Sequence, residues 1–161
     1  SLSIMVGGEA DVVEEARPVL EAMGATIVHV GPAGSGQTVK AANQLIVAGT
    51  IQLVAESLVF LEAHGVDLEA AVEVLAGGLA GNRILDRKAA GMIKGEFEPG
   101  FRIDLHHKDL GIVTQAAREA GVVLPVGATM AQLMGAARQR GYGSLDHSAL
   151  LKLAKDLSGR S

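Results

Sequence analysis

Between Val39 and His64 the chain carries apolar residues around most of the circumference of one long helix. Such a helix cannot lie on a protein surface, so its own domain or a partner subunit must cover it. A membrane is not the expected environment. A transmembrane span needs about 20 consecutive apolar residues, whereas the most apolar stretch here, Leu45 to Ala55, is short, carries Gln52 and runs into Glu56. The cover must also be built from small and aliphatic side chains, because hydrophobic residues make up 48% of the chain with only three Phe and one Tyr. That composition suits closely packed helices. The length, 161 residues, fits roughly one main globular unit of about 100 to 200 residues.

The pattern on either side of this helix differs. Upstream, Leu2–Val6 reads as a short buried strand stopped by Gly7 and Gly8, Glu9–Met23 as a helix stopped by Gly24, and Ala25–Val30 as a second strand. Parallel strands joined by a crossover helix need a larger sheet to bury both faces. Residues 1–32 are therefore expected to be the remnant of an α/β domain, and residues 33–161 an all-α domain. The absence of a starting Met fits a piece of a longer protein, and SLSIMVGG lacks the basic flank and apolar length of a secretory signal. Downstream, helices are expected over Asp67–Leu75 with Asp67 as cap, Arg83–Met92, Asp104–Gly121, Pro125–Arg140 and His147–Leu157 with Asp146 as cap, with KGEFEPGF as a loop.

A net charge of -4 without a basic stripe argues against a nucleic-acid partner. With no cysteine, disulfides and thiolate metal sites are excluded, and a reducing compartment, the cytoplasm, is expected. His106 and His107 are neighbours that point in different directions on a helix, with no third ligand at helical spacing, so no metal is expected.

The segment most suggestive of chemistry is GPAGSGQTVKAANQ, where Gly31, Gly34 and Gly36 precede Lys40, Asn43 and Gln44. Residues three and four apart on a helix share a face, so one cation and two amides converge on a small ligand. A lysine in the first helical turn, if buried, has its charged form disfavoured by burial and by the helix dipole, which suits a general acid or base. Taken alone, the segment favours an ordinary glycine turn before a solvated lysine. It is not a dinucleotide fingerprint, since no strand follows its helix and Glu56 lies within that helix.

Together with FEPGFRIDLHHKDL and GYGSLDHSAL, this segment resembles the β-hydroxyacid dehydrogenase family, in particular its 2-hydroxy-3-oxopropionate (tartronate semialdehyde) reductase branch. The resemblance runs from Ser1 nearly to the C-terminus. It implies the C-terminal all-helical domain of a 6-phosphogluconate dehydrogenase-like protein, preceded by a βαβ remnant of a Rossmann domain. It further implies NAD or NADP as cofactor, bound mainly by an N-terminal half outside this chain, and a small-molecule substrate.

The family's glycine, lysine and asparagine signature falls on Gly31, Gly34, Gly36, Lys40 and the pair Asn43 and Gln44, with Gln44 where many relatives carry a second asparagine. The resemblance makes Lys40 the proton-transferring residue and Asn43 and Gln44 substrate contacts. The family's lysine-aspartate pair falls on Lys108 and Asp109, preceded by the aromatic Phe101. Lys108 is implied to reach the cofactor, Asp109 to hold the active-site network and Phe101 to close over the nicotinamide side. On the residues alone, Phe101 reads equally as a core aromatic and Asp109 as an ion pair or cap. The long helix is implied to pack in a subunit interface, giving a homodimer or homotetramer. This chain by itself is expected to be inactive. A 3-hydroxyisobutyrate dehydrogenase and a non-catalytic helical dimerisation module are the alternative readings.

Overall fold

A computed structural model describes residues 2–160. The elements run β1 (Ser3–Gly7), α1 (Ala10–Glu21), β2 (Thr26–Gly31), α2 (Ser35–Ala63), α3 (Leu68–Gly77), α4 (Arg83–Lys94), α5 (Ile103–Glu119), α6 (Pro125–Ala137) and α7 (Leu150–Leu157). A π turn at Arg138–Tyr142 and a 3-10 turn at His147–Ala149 join the last two helices. The chain divides into two compact units, Ser1–Gln44 and Leu45–Ser161.

In the first unit β1 and β2 pair in parallel, with Ser3 opposite Thr26 and a bulge between Val6 and Gly7. The head of α2 packs on these strands through glycine. A Cβ on Gly36 would stand 2.4 Å from the Met5 carbonyl oxygen, and one on Gly7 2.6 Å from that of Pro32. Packing therefore groups the first turns of α2 with the strands, so the compact unit extends past residue 32, where the sequence pattern changes. Two strands and one helix bury little: Val13 is the buried residue of α1, while Val12, Val19, Met23 and Val28 are exposed.

Helix α2 begins at Ser35, earlier than the expected Val39, and Gly36 is a helical residue where a turn was expected. The absence of a side chain at Gly36, which the close approach of β1 requires, explains the early start. The left-handed turn that launches the helix is at Gly34, with φ 92°. By length and composition this 29-residue helix is long enough and apolar enough to cross a membrane. One side of it, Ala48, Ile51, Gln52, Val54, Ala55, Leu58 and Val59, is buried in the protein instead.

That side forms the core of the second unit with Leu85, Met92, Ile103, Leu110, Met134, Leu150 and Leu153. Caps set the helices around it. Asp67 accepts from the Ala70 N–H at the start of α3, Asn82 accepts from Ile84 and Leu85 N–H at the start of α4, and Pro125 opens α6. Helix α6 ends at Ala137 rather than Arg140, because the chain widens into the π turn and Gly141 takes φ 85°, a left-handed conformation that glycine adopts at little cost.

Candidate active site

The residues singled out by sequence divide between the two units. Lys40, Asn43 and Gln44 lie at the head of α2 in the first. Their spacing places them on one helical face, and Asn43 Nδ2 donates to Gln44 Oε1 at 3.2 Å, which ties the two amides together. Lys40 and Asn43 are exposed and Gln44 is half-buried. Because α2 starts at Ser35, Lys40 stands in its second turn, not its first, and it is exposed, not buried. The pull of the helix terminus fades beyond the first turn, so neither reason offered by the sequence for a special lysine holds here. What remains is the shared face: an ammonium beside a bonded pair of amides.

Phe101, Lys108 and Asp109 belong to the second unit. The last two are on α5, where Lys108 Nζ pairs with Asp109 Oδ1 at 3.1 Å. The lysine side chain is 63% exposed and the aspartate side chain 10%, so a buried carboxylate anchors an ammonium that still faces solvent. Phe101 ends the loop before α5 and is half-buried. Its ring meets His106 edge-on at 5.6 Å between centroids and His147 at 5.5 Å.

Sequence reasoning gave Asp146 the role of a helix cap. It does accept from the Ser148 N–H at 3.1 Å, but the same carboxylate gathers partners from three parts of the unit. Oδ1 accepts from the Gly100 and Phe101 N–H groups at 2.9 and 3.0 Å, and Oδ2 from the Ser148 hydroxyl at 2.6 Å. Lys88 Nζ of α4 lies 3.0 Å from both oxygens. Asp146 is 2% exposed. Burial alone would raise its pKa, but the Ser148 hydroxyl, the Phe101 and Ser148 N–H groups and Lys88 outweigh that effect and hold it well below the usual carboxylate range. The lone local signal was DHS, an aspartate two residues before a serine, which announces a cap and nothing of its distant partners.

His106 and His147 meet in the core. Their Nδ1 atoms are 3.1 Å apart, so one ring donates and the other accepts. Among the described residues there is no group of three or more His, Asp or Glu able to hold a metal ion. Burial lowers the His147 pKa from 6.5 to about 4 despite Asp146 beside it, and His106 and Lys88 add to the lowering.

The unfolded chain takes up that proton near the ordinary value of 6.5, and the folded chain only near 4. The stability that neutral His147 contributes is thus complete above pH 6.5 and is lost as pH falls toward 4. Urea unfolding at pH 7 and pH 4.5 is expected to differ by roughly 2 kcal/mol from this group. His147→Gln should reduce that difference, and equal pH dependence in the parent and the variant would contradict the assignment.

The chain matches known proteins over nearly its whole length. Residues 34–154 match the family described as NAD-binding of NADP-dependent 3-hydroxyisobutyrate dehydrogenase, and residues 1–31 match the NAD binding domain of 6-phosphogluconate dehydrogenase. The chain is 44% identical over 152 residues to the 2-hydroxy-3-oxopropionate reductase of Escherichia coli (strain K12), covering 94% of this chain and 52% of that protein. It is 35% identical over 162 residues to the 2-(hydroxymethyl)glutarate dehydrogenase of Eubacterium barkeri, covering 100% of this chain and 54% of the relative. A solved structure of the Mycobacterium tuberculosis 3-hydroxyisobutyrate dehydrogenase with L-serine superposes with a TM-score of 0.85 at 31% identity, covering 95% of this chain and 55% of that one. The chain spans about half the length of the curated relatives it matches.

Proposed function

Because the chain belongs to the 3-hydroxyisobutyrate dehydrogenase-like family of β-hydroxyacid dehydrogenases, we propose that it is the C-terminal portion of an NAD(P)-linked reductase. The substrate we assign is tartronate semialdehyde, reduced reversibly to glycerate. The observation that carries this reading is the face at the head of α2, where Lys40 stands one helical turn from the bonded amides Asn43 and Gln44.

A dihydronicotinamide, when bound, supplies the hydride. Reduction of the aldehyde leaves negative charge on its oxygen, and the Lys40 ammonium stabilises that charge and gives up the proton that completes the hydroxyl. Asn43 and Gln44 orient the hydroxyl and carboxylate end of the substrate. Two residues of the second unit fit a dinucleotide: the solvent-facing ammonium of Lys108 suits an anionic group, and the half-buried ring of Phe101 suits the flat face of the nicotinamide. The exposed apolar residues Val12, Val19, Met23 and Val28 support a larger nucleotide-binding domain around the first unit.

Identity at the level of the Escherichia coli reductase favours tartronate semialdehyde, while the similarity to a 3-hydroxyisobutyrate dehydrogenase keeps that substrate as the second reading. A panel of β-hydroxyacids and their aldehydes on the full-length protein decides between them. The highest kcat/KM is expected for tartronate semialdehyde. Turnover of 3-hydroxyisobutyrate alone would move the assignment to the second reading, and no nicotinamide-linked turnover of any member would remove both.

We further propose that two copies associate along α2. Ile46, Leu53 and Phe60, spaced seven residues apart, are 67%, 66% and 62% exposed, large apolar side chains repeating on one helical face as at a helix-packing interface. Leu53→Glu with Phe60→Glu is expected to convert the assembly to monomers in sedimentation. An unchanged mass would exclude this face.

A further inference from the structure

The loop that ends at Phe101 has no regular structure of its own, yet both polar groups of the Phe101 backbone are taken. Its N–H donates to Asp146 Oδ1 at 3.0 Å, and its carbonyl accepts from the His147 N–H at 2.8 Å. The Asp146 N–H donates to the Phe97 carbonyl at 3.0 Å, and Arg102 and Asp146 form an antiparallel bridge. Residues 97 to 102 are therefore laced to Asp146 and His147 like a short ribbon. The carboxylate of Asp146 is the knot, because it binds this loop, helix α4 through Lys88 and the turn into α7 through Ser148. The two imidazoles, His106 and His147, then bound the space open to the Phe101 ring on two sides.

We propose that Asp146 is a positioning residue for cofactor binding: by holding the Gly100 and Phe101 N–H groups, it fixes the backbone from which the Phe101 ring meets the nicotinamide end of the dinucleotide. This inference rests on the reading that Phe101 contacts the cofactor. A carboxylate suits the task better than an amide, since it accepts from five donors at once, including a cation, and has no hydrogen to turn against them. The ring is preorganised before the dinucleotide arrives, so binding does not have to order the loop.

The test uses the full-length enzyme with Asp146→Asn, Phe101→Ala and the double variant. Three readouts are taken: the dissociation constant of NADPH or NADH from its fluorescence, the KM for the dinucleotide, and kcat at saturation. Asp146→Asn is expected to weaken dinucleotide binding about tenfold while kcat stays within about twofold. Phe101→Ala should weaken it at least as much, and the double variant should be no worse than Phe101→Ala alone, because residues that act through one another are not additive. A folded Asp146→Asn enzyme with parental affinity overturns the proposal, as does a double variant whose losses multiply. Parental affinity in Phe101→Ala removes the reading of Phe101 itself, a result distinct from the other two. Should Asp146→Asn fail to fold, Lys88→Met loosens the same carboxylate from outside. Weakened dinucleotide binding restored by Lys88→Arg supports the proposal, and parental affinity in Lys88→Met opposes it.

Discussion

Replacing Asp146 with alanine is expected to lower the stability of this chain by roughly 3 to 5 kcal/mol, the range for breaking a buried ion pair by removing one partner. Alanine would leave the buried Ser148 N–H and hydroxyl without their acceptor, each orphaned buried donor costing about 1 to 3 kcal/mol, and would also release the part-buried Gly100 and Phe101 N–H groups. Lys88 softens the loss, since its side chain is 26% exposed and can turn toward solvent. Asparagine keeps the shape and one acceptor oxygen, so Asp146→Asn should cost less than Asp146→Ala. Urea unfolding followed by circular dichroism measures both. A loss below about 1 kcal/mol for Asp146→Ala would mean that the carboxylate only decorates a turn held by other contacts.

That stability is invisible in a linear reading because it is made of long-range pairs. Lys88 and the Gly100 N–H reach Asp146 across 58 and 46 residues, and His106 reaches His147 across 41. No periodicity or spacing rule connects such positions. Local features fared differently, because their causes are local. Asp67 and Pro125 sit where a cap and an N1 proline belong, and the two strands, the long helix and the glycine-containing loop before α5 follow from short apolar runs, helical apolar spacing and breakers. The misplaced start of α2 has a physical source. Gly36 was read as a turn residue on propensity, whereas the approach of the β1 backbone is what asks for glycine there.

The same division governs the site. The shared face of Lys40, Asn43 and Gln44 and the adjacency of Lys108 and Asp109 are matters of helical geometry, and both follow once α2 and α5 are helices. The proposed roles of these residues came instead from resemblance to a family, because a lysine on a helix carries no mark of the reaction it serves. The expectation that burial and a first-turn position single out Lys40 was wrong on both counts, since helix length and side-chain exposure depend on what packs nearby.

Lys40, in the role proposed for it, delivers the proton to the reduced carbonyl oxygen, and the second large effect follows from that role. Lys40→Met keeps an unbranched apolar stem and removes the ammonium. In the full-length enzyme kcat should fall by about 10² to 10⁴, the contribution typical of a general acid or base. Because Lys40 is exposed on α2, the substitution should change the stability of this chain by no more than about 0.5 kcal/mol. The direct measurement is the rate of tartronate semialdehyde reduction by full-length Lys40→Met, followed through the absorbance of the dihydronicotinamide with both substrates saturating. The expected result is a fall of at least about a hundredfold with the thermal midpoint unchanged. Reduction at the parent's rate would contradict the claim and leave the proton donor to be found elsewhere.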